Sequence, residues 1–438
     1  MLIEFSLENF RSVRTRETLS MVAAPRIHKK GSVIKPQIIG ESKFPPLLKA
    51  LAIYGPNASG KSTLVKGLQL LKQLVSLLPT AENRPLPVSP FRFDLGLLEK
   101  PSIFEVHFIE NKIRYSFELA LTADRIHWEK MTLYEKGEPA LLYERSYSNG
   151  TDLYKFPHLE GGSELHEAWR KLTGPRTLFL AQAVANSNEE LIQLKTPYKW
   201  LTKLMIESDG MKPASRMTQR LIADHPSFGT EVAKLLSNVD IPILSIQSKR
   251  YEEEEDSLKT LLTNNIQNGV VPGERALKRR VTNQISTSLT HLSNLGEAVF
   301  DFDEESEGTK NLLGFALPWL IFRDFDTEKE DAKSVLVVDE LDSSLHPKLV
   351  EALVQKHIES ELDSQLIFTT HDTHLMDSKF LRRDQIWMTE RDFNGATHLR
   401  SVYDFEGREG EDVEKRYYEG RYRSLPLIKK EIKNESNS

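Results

Sequence analysis

The sequence predicts an α/β fold with three parts: a parallel-stranded nucleotide-binding core, an antiparallel side sheet, and a long insertion that divides the core. Three observations predict it. A glycine-rich loop, GPNASGKST (55–63), stands between an apolar strand and a helix. A second apolar strand ending in Asp-Glu follows only at 334–340. Between them, residues 103–156 alternate apolar and polar positions and are punctuated by turn signals. The chain has 438 residues, too many for one compact core.

Composition narrows the function classes. Net charge is −6, which argues against wholesale coating of nucleic acid and leaves room for a local basic patch. There is no cysteine, so disulfides, thiol catalysis and cysteine-held metal clusters are excluded. The start, MLIEFSLENF, alternates and carries Glu4 and Glu8, unlike a secretory leader. The longest apolar run, 312–322, is short and broken by Pro318, so no membrane span is expected and the location expected is cytoplasmic.

The loop matches G-x-x-x-x-G-K-[ST] in full. LKALAIY (48–54) reads as a buried strand, and TLVKGLQLLKQLVSLL (63–78) as a helix stopped by Pro79. Glycines let backbone N–H groups turn toward phosphate, and the helix N-terminus adds positive potential. Gly55, Asn57, Ser59, Gly60, Lys61, Ser62 and Thr63 are therefore the expected ATP-binding residues. Lys61 would neutralise β- and γ-phosphate oxygens, and Ser62 would ligate Mg²⁺.

SVLVVDE (334–340) supplies the second half of such a site. Val335–Val338 make a buried strand, Asp339 would ligate Mg²⁺, and Glu340 would deprotonate the attacking water. Lys61 and Asp339 stand 278 residues apart, far more than a small GTPase-like or RecA-like core allows. That spacing is the layout of an ABC/SMC-type ATPase head. Such a head predicts a glycine-containing turn opening a helix shortly before the second strand, and ESEGTKNLLGFALPWLIF (305–322) provides one. Ser306 and Gly308 would contact the γ-phosphate of ATP held by a second copy. The bland alternative is a plain N-cap. LDSSLHP (341–347) occupies the place of a D-loop, and QLIFTTH (365–371) reads as a strand ending in His371, placed to sense the γ-phosphate.

The rest of the map is coarser. LIEFSLENF reads as a strand with Ile3, Phe5 and Leu7 on one face. Hairpins are expected around 110–112 and 136–139. TLFLAQA (177–183) reads as a strand, with Gln182 a candidate Q-loop residue. Residues 186–300 read as a polar helical arm, with a loop at 264–274 and a resumed helix at 277–292; Lys278, Arg279 and Arg280 fit a solvated face better than a nucleic-acid patch. QIWMTER (385–391) reads as a further strand. RYYEGRYRSLPLI (416–428) fits a folded cap better than an RNA surface, and 429–438 a loose tail. Three domains are expected: 1–185, an N-terminal lobe with the P-loop and the β subdomain; 186–300, the arm; and 301–438, a C-terminal lobe with signature, Walker B, D-loop, switch histidine and cap.

Taken in order, MLIEFSLENFRS, SMVAAP, GPNASGKST, ESEGTK, VVDELDSSLHP, IFTTHD and YYEGRY resemble the RloA/AbiL-like AAA-type ATPases of bacterial abortive-infection and restriction-linked loci. The resemblance implies ATP-dependent self-assembly, a companion effector of RloB or TOPRIM type from the same operon, and a part in anti-phage defence. It puts Arg11 of NFRS near the nucleotide. The signature reads SEGT where transporters have SGGQ, a departure that matches the group. About 65 residues follow the His371 strand, too few for a TOPRIM nuclease, so none is expected in this chain. The alternative is an SMC/RecF-like DNA-binding ATPase of repair, which would need a basic groove.

Overall fold

Apolar runs without alternation become the core sheet, because a strand covered on both faces has no polar side to show. The computed structural model describes residues 1–438 except 28, 30, 78–83, 188–190, 209–211, 238–240, 256–279, 325–334, 377–380, 409 and 426–438. The expected loop at 264–274, Lys278, Arg279 and the tail at 429–438 lie outside the described residues.

The chain divides into two units, residues 1–210 with 326–438, and residues 211–325. The first unit opens with β1 (Leu2–Glu8), β2 (Glu17–Ser20), a short pair β3 (Val33–Ile34) and β4 (Leu47–Leu48), and β5 (Ala50–Tyr54). Helix α1 (Lys61–Ser76) follows the glycine-rich loop. Five long-to-medium strands come next: β6 (Ser102–Glu110), β7 (Ile113–Leu121), β8 (Ile126–Glu135), β9 (Glu138–Ser148) and β10 (Thr151–Lys155). With β1 and β2 they form one antiparallel sheet in the order β10-β9-β8-β7-β6-β1-β2. Its two expected hairpins are present. Asn111 and Lys112, and again Lys136 and Gly137, all have positive φ, the two-residue turn that matches strand twist.

Helices α2 (Gly162–Leu172), α3 (Phe179–Ala185) and α4 (Ile192–Lys203) lead to β11 (Met205–Glu207). The run 177–183, expected as a strand, is a helix from Phe179. The buried Glu129 carboxylate explains it, accepting the N–H groups of Phe179 at 2.7 Å and Leu180 at 3.0 Å and so capping α3. Ala, Leu and Gln then favour the helix. Gln182 is buried on α3.

The core sheet has the order β11-β15-β16-β5-β17-β18, with β15 (Val335–Val338), β16 (Gln365–Thr369), β17 (Ile386–Arg391) and β18 (Thr397–Ser401). All neighbours run parallel except β17 and β18, a hairpin. Helix α8 (Pro347–Glu359) links β15 to β16. The Gln365 side chain ties the two sheets together, accepting Leu2 N–H at 2.6 Å and donating to Leu2 O at 3.0 Å. Helix α1 buries Leu64, Leu68 and Leu71 in the same core as Phe5, Leu51 and Ile367.

The second unit holds α5 (Lys212–Asp224), α6 (Ser227–Ser237), a sheet of β12 (Ile243–Glu255), β13 (Arg280–Ser293) and β14 (Gly296–Asp301), and α7 (Glu307–Asp324). It corrects the expectation at 277–292, which is strand and not helix from Arg280 onward. Val281, Thr282, Ile285, Thr287 and Thr290 are β-branched and suit a pleated strand. In the C-terminal segment, α9 (Val413–Tyr418) and the turn after it form a folded cap. Tyr417 and Tyr422 are buried, and Arg416 and Arg421 pair with Glu411 and Glu419. Among the described residues no helix is long and apolar enough to cross a membrane.

Candidate functional site

Parallel strands bring their C-terminal ends to one edge, where loops collect chemistry. Here Ile53 of β5 lies beside Thr369 of β16, and Phe368 beside Val338 of β15. The residues that follow these strands, Gly55, Thr370 and Asp339, therefore share that edge.

The glycine-rich loop is shaped for close approach. Gly60 has φ +106°, and a Cβ there would fall 2.0 Å from Thr397 Oγ1; one on Gly55, at φ +151°, would fall 2.2 Å from Thr389 Oγ1. Hydroxyls lock the loop from below. Ser59 Oγ and Thr389 Oγ1 are 2.6 Å apart, and Thr389 Oγ1 donates to Tyr54 O at 3.0 Å. Thr397 Oγ1 lies 2.8 Å from both Ser59 O and Ser12 Oγ, and Ser12 Oγ lies 2.8 Å from Thr63 Oγ1. Asn57 is exposed and Ser62 half-buried. Arg11, at φ +52°, is exposed in the turn that delivers Ser12 to the loop, so it is the neighbour of Arg11 that touches the loop.

Lys61 is buried and donates from Nζ to Gly55 O at 2.8 Å and Pro56 O at 3.3 Å. Burial lowers its pKa, while the charges of Asp339, Glu340 and Asp342 raise it in opposition. Those carboxylates thus act on the lysine from the neighbouring strand ends.

One hydroxyl orders the acidic pair. Thr369 Oγ1 donates to Asp339 Oδ1 at 2.6 Å and accepts Glu340 N–H at 2.7 Å. Asp339 is 6% exposed. Glu340 has φ +55°, a left-handed conformation rare outside glycine, and its side chain is exposed. The next carboxylate, Asp342, accepts His371 N–H at 3.2 Å. The His371 side chain is exposed at the same edge. Ser306 caps α7 and accepts Thr309 N–H at 3.1 Å, and Gly308 lies in the first turn; both belong to residues 211–325.

A glycine cradle that a side chain would fill, a buried lysine at a helix N-terminus, and an ordered Asp-Glu pair fit a triphosphate with a divalent cation. The family described as "AAA domain, putative AbiEii toxin, Type IV TA system" matches residues 51–377, from the strand before the loop to beyond His371. The chain belongs to this family. No curated protein matches this AAA-domain chain. Among solved structures it is similar to an SMC head bound to the C-terminal winged-helix domain of ScpA, at 13% identity and TM-score 0.41, covering 91% of this chain and 97% of that one. It is also similar to the SMC head domain of Thermotoga maritima, at 14% identity and TM-score 0.38, covering 91% and 98%.

Sequence reading missed Ser12, Thr369, Thr389 and Thr397 of this AAA-domain chain. Ser12 lies in NFRS and Thr369 in IFTTHD, yet neither motif assigns its hydroxyl a part, and Thr389 and Thr397 stand in no motif. Only the position of Thr369, at the end of an apolar strand beside the Mg²⁺-type carboxylate strand, could have signalled its part.

Proposed function

We propose that the chain is an ATPase that closes on a second copy of itself around ATP and, by opening and closing, holds or releases a companion effector in anti-phage defence. The observation that carries the ATPase is the single edge on which Lys61, Asp339 and Glu340 converge, with Thr369 ordering both carboxylates. Gly55, Asn57, Ser59, Gly60, Lys61 and Thr63 bind the phosphates, with Arg11 near the nucleotide. Mg²⁺, held by Ser62 and Asp339, would neutralise charge on the phosphate oxygens. Glu340 takes the proton of the attacking water, and its exposed carboxylate is free to reach it. His371, anchored through its N–H by Asp342, reads the γ-phosphate. Ser306 and Gly308 approach the partner copy's ATP with the N-terminus of α7. The description of the family as an AbiEii-like component of a toxin–antitoxin system supports the defence role.

The test uses a trap. Glu340→Gln and Lys61→Ala chains are tagged, expressed with their native neighbouring genes and purified. One companion protein retained with Glu340→Gln, and lost from Lys61→Ala, is the expected result. Nuclease-sensitive DNA retained in its place would overturn the effector reading.

A further inference from the structure

The second unit contains a cavity of about 610 Å³ that the ATPase reading does not use. Its lining comes from α5 (Ser215, Arg216, Gln219, Arg220), from β13 (Gln284) and from the approach to α7 (Phe302, Asp303, Glu307, Lys310). Every one of these residues lies within residues 211–325. The volume falls in the range of small-molecule sites.

Three features of the lining need a ligand to make sense. Arg216 and Arg220 stand one turn apart on α5, where like charges repel, and neither has an ion-pair partner among the described residues. By contrast Arg250, in the same unit, pairs with Asp224 at 2.6 Å. Ser215 is 2% exposed, yet its hydroxyl has no hydrogen-bond partner among the described residues, an arrangement that costs free energy when nothing fills the space. Gln219 and Gln284 accept hydrogen bonds through their oxygens from Thr287 and Tyr251, which leaves the amide N–H groups as donors.

The other lining residues select among anions. Lys310 is engaged, donating to Asp303 O at 3.1 Å and lying 3.4 Å from Glu307. The carboxylate of Asp303 remains as an acceptor and the ring of Phe302 as an apolar wall. A simple inorganic anion would use the arginines and leave the acceptor idle, with only Lys310 Nζ over the ring at 5.8 Å. A ligand with an anionic group, a flat ring and its own N–H donors uses all of them. We propose that this cavity binds a phosphorylated nucleoside, with its phosphate on Arg216 and Arg220 and its base against Phe302 and Asp303. Such a site would let the inserted unit respond to a nucleotide other than the one held at the P-loop. It needs neither Lys61 nor a second copy, so it stands apart from the ATPase reading.

The test is calorimetric titration of the full-length Lys61→Ala chain with AMP, GMP, CMP and UMP in turn, and with inorganic phosphate. The expected result is saturable one-to-one binding of at least one monophosphate, at least tenfold tighter than inorganic phosphate. Arg216→Ala/Arg220→Ala, in the same background, should weaken it at least tenfold with an unchanged melting temperature, because both side chains are exposed. Arg216→Gln/Arg220→Gln provides a second check with the helix surface kept polar. Absence of binding for all four monophosphates, equal binding by both arginine variants, or equal affinity for inorganic phosphate would overturn the proposal.

Discussion

The strand-end edge of the core sheet and the cavity-facing side of α5 in the inserted unit treat their polar groups in opposite ways. In the core, β5 and β16 are buried along their whole length, and two threonine hydroxyls at strand ends each serve two partners. Thr369 orders Asp339 and Glu340 together, and Thr397 holds both Ser59 and Ser12. In the inserted unit, β14 is exposed throughout, and the helix facing the cavity keeps a buried hydroxyl and two arginines unspent. A site that must place a water and a phosphate to within fractions of an ångström is over-determined. A surface that answers to a ligand keeps its donors free.

The contrast breaks first at Gly60. Gly60→Ala puts a methyl 2.0 Å from Thr397 Oγ1 at a φ of +106°. It should cost about 3 kcal/mol of stability and lower ATP affinity at least about a hundredfold. Denaturant unfolding and binding of a fluorescent ATP analogue measure the two. Near-normal values would mean the loop is not over-determined.

Glu129→Ala comes next. It strips the Phe179 and Leu180 N–H groups and the Tyr143 hydroxyl of their buried acceptor. A loss of about 3 kcal/mol is expected, read by thermal and denaturant melts. Thr369→Val keeps the shape of β16 and removes one hydroxyl. About a tenfold fall in kcat is expected from steady-state assays, with a loss of about 1–3 kcal/mol in denaturant melts, because Asp339 Oδ1 and Glu340 N–H lose their partner.

The smallest effects are at surface pairs, and pH sharpens one. His107 and Arg16 at Glu105 outweigh its desolvation and hold the carboxyl down to about 2. A carboxyl depressed in the folded state stabilises above its unfolded pKa and loses that contribution as pH falls from about 4.5 through about 2. Glu105→Gln should therefore cost about 1 kcal/mol at neutral pH, discounted for its partial exposure, and almost nothing near pH 2. In the inserted unit, Asp224→Asn, which breaks the exposed pair with Arg250, should cost less than about 0.5 kcal/mol at any pH. Melts of both variants across pH decide it.

The same contrast explains which parts could be read in advance. Val335–Val338 and Ala50–Tyr54 are continuous apolar runs flanked by glycine or acid, so the strands were legible, and the contiguous motifs beside them name the candidate residues. Strand β13 was not. Ile285 and Leu289 stand four apart and imitate a helix face, while its β-branched threonines carry the weaker and truer signal. The helix at Phe179 was hidden for another reason: its cap, Glu129, lies 50 residues earlier and joins it only in the folded chain. The hydroxyls under the P-loop share that cause, since Ser12, Thr389 and Thr397 meet it from remote segments.

The most direct test of the central claim is single-turnover hydrolysis of radiolabelled ATP by the wild-type chain and by Glu340→Gln, with ATP binding measured on both. The account predicts equal binding and a fall of about a hundredfold or more in the rate for Glu340→Gln. Hydrolysis at the wild-type rate by Glu340→Gln, or no ATP binding by the wild-type chain, would contradict it.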